Sequence, residues 1–312
     1  MIEFKQVSKR FEADTNFLTD IDLTIPPGRL LGLLGSNGSG KSTLLRLLAG
    51  IYQIDSGHLT VNGADLFENL TYKQRLFFAP DEPYFPLLAT LTQLRKTYAT
   101  IYPAFDQTLY TQLVSRFGLP VNKNLNNFSK GQKRQALMVL ALATRPKYLL
   151  LDEIFDGLDL VMKDLVRKAV MEQMATNHMT VIMTTHNISE LSSLCDHLCL
   201  MHQGKLIVNR DMDQLDDSLT KVHMTLPPQW TTQSINQMMT DYASTSHTLM
   251  GNLLSFTSRL PKADLQAKLD TLNLGYCELT PASLDEIFLM ELQQVGYGLP
   301  DTATEVTHGT AI

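Results

Sequence analysis

Short, unbroken apolar runs alternate with longer stretches of helical period along the first two thirds of the chain. The run Leu30-Leu31-Gly32-Leu33-Leu34 is continuous and closed by glycines, which is how a strand buried on both faces of a parallel sheet reads. A helix is expected over 41–49, and a strand over 58–61 that ends at the turn dipeptide Asn62-Gly63. Two strands over 2–7 and 21–25 precede them as an edge sheet. Beyond Pro80-Asp81-Glu82-Pro83 the residues 91–117 carry helical patterning and few strand signals. Then follow a strand over 148–151, a helix over 160–175, a strand over 180–184, a helix over 188–194 and a hairpin through Gln203-Gly204. Strands alternating with helices predict a mostly parallel sheet in an α/β core.

The composition shifts near residues 216–219, and a separate, smaller pattern occupies 221–292. Strands are expected there over 222–226, 253–257 and 276–279, with helices over 262–272 and 283–294, which is a small α+β unit. The Ser, Thr and Gly-rich end after Gly296 is expected to be disordered. No internal repeat is visible.

The bulk numbers narrow the classes of function. The chain has 312 residues, of which 44% are hydrophobic, enough for a large domain with a sizeable core plus a smaller one. Its net charge of −6 gives no general attraction to nucleic acid or anionic lipid. The longest apolar runs, over 136–143 and 148–151, fall far short of the roughly 20 residues that cross a bilayer. The first residues lack the basic and then apolar order of a signal peptide, so a cytoplasmic location is expected. Cys195, Cys199 and Cys277 make no disulfide framework. The segment from Cys195 to Cys199 reads better as period-two alternation entering a strand than as a zinc site.

The chemistry concentrates in three segments. Gly35-Ser36-Asn37-Gly38-Ser39-Gly40-Lys41-Ser42, followed by Thr43, lies between an expected strand and an expected helix. Its glycines let the backbone wrap a polyanion with successive N–H groups facing the phosphates, Lys41 neutralises charge, and Ser42 is a ligand for Mg²⁺. Asp152 closes an apolar strand, where a buried carboxylate needs a counter-charge and that Mg²⁺ is the natural one. Glu153 comes next and is expected on the opposite side of the pleat. The third segment, Ser129-Lys130-Gly131-Gln132, opens a helix-like stretch. It reads as a second candidate surface for a triphosphate, and one copy cannot serve both ends of one nucleotide.

With these motifs in this order, residues 1–216 resemble the nucleotide-binding subunit of an ATP-binding cassette (ABC) transporter. The resemblance implies a P-loop NTPase α/β core with an antiparallel β subdomain and a helical subdomain over about 85–145. It leaves 217–295 as an accessory α+β domain and 296–312 as a tail. It implies that Glu153 is the general base and that Asp152 holds the metal through water. His186, after Thr184-Thr185, then senses the γ-phosphate. Ser129, Gly131 and Gln132 contact the ATP of an opposing subunit. Phe11 stacks on adenine, with Phe17 as the alternative. Gly157-Leu158-Asp159 resembles the loop that crosses the dimer interface, but Asp156 replaces a serine and Leu160 a proline.

Two further departures bear on the site. Asp81 stands where the family has glutamine, either as a metal-side ligand with Ser42 and Asp152 or as a cap of the turn between Pro80 and Pro83. Lys130 stands where the signature has glycine, either helping to hold ATP or facing solvent. The expected cofactors are ATP and Mg²⁺. The expected partners are a separately encoded integral-membrane permease and a second ATPase subunit, as homodimer or heterodimer, with no nucleic acid. The chain would then be peripheral on the inner face of the membrane. Residues 280–288 resemble the last helix of subunits from exporter-type systems, which points to export. The competing expectation is a soluble, non-transport ABC ATPase, from which the acidic charge, the single cassette and the lack of a long coiled-coil insert set this chain apart.

Overall fold

The computed structural model describes residues 1–11, 14–191, 194–212, 219–226, 230–272, 274–284 and 286–287. The chain divides into two compact units, Met1–Asp211 and Met212–Ile312. The first carries two sheets. β1 (Ile2–Phe11), β2 (Asp14–Ile25), β4 (Ser56–Val61) and β5 (Ala64–Asp65) form an antiparallel sheet in the order β2-β1-β4-β5. Both β1 and β2 run well past the strands expected from the pattern. Bulges between Phe4 and Phe11 break their period-two alternation, so the extra length has no clean signature. At Gly57 the φ is +85°, and a Cβ would lie 2.2 Å from the Gln6 carbonyl oxygen. Only glycine lets β4 approach β1 at that bulge.

The main sheet has the order β10-β9-β3-β8-β7-β6. It comprises β3 (Leu30–Gly35), β6 (Leu76–Ala79), β7 (Tyr148–Asp152), β8 (Thr180–Thr185) and β9 (His197–His202), all parallel, with β10 (Lys205–Asp211) antiparallel at one edge. β3, β7 and β8 are buried at every position, as their continuous apolar or Thr-rich runs require. Because β8 lies between β3 and β7, the ends of all three strands converge on one edge of the sheet. Loops at the carboxyl ends of such strands are where α/β sheets place their sites. α1 (Lys41–Leu48) leaves that edge, and α6 (Leu160–Asn177) and α7 (Ile188–Leu191) complete the core.

The helical insert contains α3 (Leu91–Ile101), α4 (Gln107–Phe117) and α5 (Lys130–Ala143); α2 (Leu70–Lys73) lies before it. Their starts are written locally. Thr90 and Gln93 form a reciprocal capping box on α3, Asp106 accepts the Leu109 N–H at the start of α4, and Ser129 and Gln132 form a second capping box on α5. From Arg134 to Ala143 every residue of α5 is buried.

The second unit runs β11 (Thr220–Thr225), α8 (Thr232–Asp241), β12 (Ser244–Met250), β13 (Leu253–Ser258), α9 (Lys262–Asp270) and β14 (Cys277–Pro281), with the antiparallel order β12-β13-β11-β14. This is a split βαβ, ferredoxin-like arrangement. Its core gathers Val222, Met224, Ile235, Met238, Met239, Leu254, Phe256 and Leu265. Neither α8 nor β12 is expected from the sequence pattern. Ile235, Met238, Met239 and Tyr242 do sit at helical spacing, hidden among Thr, Ser, Gln and Asn. Most of the helix expected over 283–294, the residues after Gly296 and most of the boundary expected near 216–219 lie outside the described residues.

Candidate functional site

A cleft of about 540 Å³ opens at the edge where β3, β7 and β8 end, and its walls include Phe11, Asn37, Gly38, Gly40, Lys41, Ser42, Thr43, Asp81, Asp152 and Glu153. Gly40 is the N-cap of α1 at φ +107°, with no side-chain cap on the helix. A Cβ there would lie 2.6 Å from Leu18 Cδ2. The first N–H groups of α1 are therefore left for a ligand, and a helix N-terminus is a natural seat for an anion. Ser39 Oγ is buried without a hydrogen-bond partner, a polar atom that a bound phosphate would satisfy.

Lys41 is only 5% exposed. Its ammonium donates to the carbonyls of Gly35 and Ser36 at 2.8 and 3.1 Å and lies 3.9 Å from Glu153 Oε1. Burial pushes its pKa below the usual lysine value, and the carboxylates of Glu153 and then Asp152 oppose that shift. Asp152 is buried and accepts from Ser42 Oγ at 3.1 Å and Thr184 Oγ1 at 2.7 Å. Thr184 Oγ1 also accepts the Glu153 N–H at 3.0 Å. Thr184 thus braces both acidic residues from the neighbouring strand, a role with no signal in the sequence beyond its place two residues before His186.

Glu153 does not continue the pleat of β7. It turns at φ +45°, and this left-handed residue brings its carboxylate into the same cleft as Asp152 instead of the opposite side. Its Oε2 lies 3.4 Å from Nδ1 of the exposed His186. At the other end of the cleft Phe11 meets Tyr52 edge to face, with ring centroids 5.0 Å apart, and Arg46 lies over Tyr52 at 5.9 Å. Tyr52 and Arg46 line the cleft and were not foreseen, because only the fold carries them to Phe11. The side chain of Phe17 lies outside the described residues.

Ser129, Gly131 and Gln132 are absent from the walls of this cleft. They form the start of α5, where Ser129 Oγ accepts the Gln132 N–H and Gln132 Oε1 accepts the Ser129 N–H, each at 3.2 Å. Ser129 and Lys130 are exposed. Lys130 Nζ pairs with Asp156 Oδ2 at 3.1 Å. Asp81 lines the cleft, but its carboxylate pairs with the buried Arg134, a partner that neither expectation for this residue supplied. Cys195 and Cys199 are buried, burial pushes the Cys195 thiol up to about 12, and His197 binds Asp211 and Asn209. No cluster of metal-ligating side chains of the zinc kind occurs among the described residues.

Comparison with known proteins sets this geometry in a family. A family model described as ABC transporter matches residues 18–156. The ABC transporter ATP-binding protein YtrB of Bacillus subtilis (strain 168) is 31% identical over 293 residues, covering 93% of this chain and 97% of that protein. The chain belongs to the ATP-binding subunits of ABC transporters. As a member of that family it binds and hydrolyses ATP, with the α/β P-loop core expected from the motifs. The Fe(3+) ions import ATP-binding protein FbpC 2 of Pectobacterium atrosepticum is 34% identical over 214 residues, 66% of this chain and 61% of that protein. A solved ATP-binding subunit of an ABC transporter superposes with a TM-score of 0.63 at 25% identity, over 69% of this chain and 91% of that one. Among the described residues no helix is long and apolar enough to cross a membrane.

Proposed function

We propose that this ABC subunit works as one of two head-to-tail partners. ATP then lies between the Lys41 cleft of one chain and the Ser129-Lys130-Gly131 start of α5 on the other. The observation that carries this reading is the separation within one chain: the cleft holds Lys41, Ser42, Asp152, Glu153 and Phe11, while the exposed Ser129 and the half-buried Gly131 are not among its walls. The N–H groups at the start of α1 and the Lys41 ammonium take the charge of the phosphates. Phe11 and Tyr52 offer ring faces for the base. The Glu153 carboxylate orients the attacking water and receives its proton, and His186 beside it reports on the terminal phosphate. The oxygens of Ser42 and Asp152, held together at 3.1 Å, are the hard donors that suit Mg²⁺. When bound there, Mg²⁺ supplies positive charge to the phosphates. Asp81, committed to Arg134, is left out of that set.

The chain energises a separate integral-membrane permease and sits peripherally on the membrane through it. Tyr84, Leu87 and Leu88 support that partnership. They are 86%, 85% and 68% exposed, within the segment that follows Asp81, and an exposed apolar group of this kind suits a protein contact. Outward transport rests on the resemblance of residues 280–288 to exporter-type subunits. The relatives give it no support, since FbpC 2 and a sulfate/thiosulfate import protein, CysA, match over 66% of the chain.

The test of the paired site is Ser129→Arg. Single chains should bind ATP like the parent, and ATP-driven pairing should be lost. Mixing with Lys41→Ala chains should restore at most one of the two composite sites. Loss of ATP binding by the single Ser129→Arg chain would overturn the head-to-tail reading. Export is tested with inside-out membrane vesicles holding the co-purified permease, where ATP-driven uptake into the vesicle is the expected sign.

A further inference from the structure

Three departures noted in the sequence, Asp81, Lys130 and Asp156, meet at one residue that the motifs did not single out. Arg134, on the second turn of α5, is 0% exposed. It pairs with the Asp81 carboxylate and also donates from Nη2 and Nε to the Asp81 carbonyl at 3.0 and 3.3 Å. Its Nη1 has no hydrogen-bond partner, and Asp156 Oδ2 lies 3.5 Å away. That same Asp156 oxygen binds Lys130 Nζ at 3.1 Å. The two carboxylates and two cations balance. Gly157, at the left-handed φ of +69°, packs against the same group, within ordinary contact distance of Arg134 and the Lys130 side chain.

We infer that Arg134 is a positioning residue that ties the wall of a chain's own ATP cleft to the surface it presents to the partner's ATP. On one side Arg134 grips the end of β6 through Asp81, a wall of the cleft. On the other it holds the turn after Glu153 through Asp156, over which Lys130 and Gly131 pack. The start of α5, carrying Ser129 and Gly131, is therefore registered by charge against both. Arg134 is buried while the Asp81 and Asp156 side chains are each 46% exposed, so loss of the aspartates would leave an uncompensated buried charge, and loss of Arg134 leaves two unmatched carboxylates beside the cleft. This inference rests on the paired-site reading above.

The experiment compares Arg134→Gln with a triple variant, Arg134→Gln with Asp81→Gln and Asp156→Ser, which removes the charges Arg134 was matched to. kcat and KM for ATP are measured in the full chain. ATP affinity of single chains and ATP-driven pairing are measured in a Glu153→Gln background. Arg134→Gln should lower kcat and weaken pairing by roughly 10-fold to 10²-fold, the scale of a displacement of about 1 Å at a reacting centre, with single-chain ATP affinity within about twofold of its parent. The triple variant should recover at least about tenfold of that loss, a coupling typical of residues in one ionic network. A triple variant as impaired as Arg134→Gln, or a single-chain ATP affinity that falls in step with kcat, would overturn the inference. If Arg134→Gln does not fold, Asp156→Ser replaces it. Asp156→Ser should weaken pairing about fivefold, and Asp156→Glu, which keeps the charge facing Arg134, should retain most of it; pairing unchanged by Asp156→Ser, or lost equally in both, would overturn the inference. Ser129→Arg, run alongside, separates the two ideas: if it still pairs, the composite site is wrong, whatever Arg134 does.

Discussion

Replacing Glu153 by glutamine removes one charge and leaves almost everything else in place. The residue sits at φ +45°, a conformation that costs an ordinary L-residue roughly 1–2 kcal/mol and that glutamine suffers equally. Its N–H remains bonded to Thr184 Oγ1 at 3.0 Å, so the turn after β7 should hold. On the role proposed for Glu153, what disappears is the proton acceptor, and a positioned base contributes about 10² to 10⁴ in rate, or roughly 2.7–5.4 kcal/mol of barrier at 1.36 kcal/mol per decade. Lys41 also loses the nearer of its opposing carboxylates, 3.9 Å away, so its pKa falls further below the usual lysine range. The phosphates of ATP supply that missing negative charge, and ATP binding should be retained or strengthened. A coupled-enzyme assay gives kcat and KM, and size-exclusion chromatography with ATP reports trapped pairs. Glu153→Gly and Glu153→Ala serve as backbone controls: both lose the base, but glycine relieves the left-handed strain, so the Gly variant should be more stable than the Ala variant by about 1 kcal/mol. Hydrolysis by Glu153→Gln at the parent rate would refute the role given to this carboxylate.

Truncation after Asp211, where the chain divides into its two units, should leave a folded first unit that binds ATP; an insoluble product would show that the units depend on one another. Gly57→Ala should destabilise the chain by more than about 1 kcal/mol in a thermal melt, because its Cβ would lie 2.2 Å from the Gln6 carbonyl oxygen at φ +85°. A melt like the parent's would mean that this bulge relaxes freely. Leu87→Asp with Leu88→Asp should abolish co-purification of a membrane protein while ATP hydrolysis by the isolated chain stays within about twofold, since the change lies on exposed side chains. Retention of the membrane protein would move the docking surface elsewhere.

Much of the fold was legible in the residues because its signals are local. A buried parallel strand such as Leu30–Gly35 has to be apolar without interruption, and helices that begin at Thr90 or Ser129 carry their capping partners three residues on. The loop proposed to hold the phosphates stands out in the sequence for the same reason, since glycines, Lys41 and Ser42 must follow one another to wrap an anion. The second unit was read less well. Its α8 buries Ile235, Met238, Met239 and Tyr242 through a thin stripe in a polar segment, and β12 takes its place from pairing with β13, not from strong alternation of its own.

The sequence by itself therefore determined the α/β class, the order of the motifs and the residue types able to bind and cleave a triphosphate. Tertiary structure alone decided which of those residues share a cleft. It set Thr184 between Asp152 and Glu153, turned Glu153 out of its strand into the cleft, brought Tyr52 against Phe11, and kept Ser129 out of the cleft. It also decided that Asp81 answers to Arg134, 53 residues away, and neither residue carries a local mark of the other. The division has a physical cause: hydrogen-bonded backbone periods and caps act within a few positions of one another and leave a trace in the chain. Charges buried between distant elements find their partners only when packing excludes water and makes an unpaired ion too costly to keep.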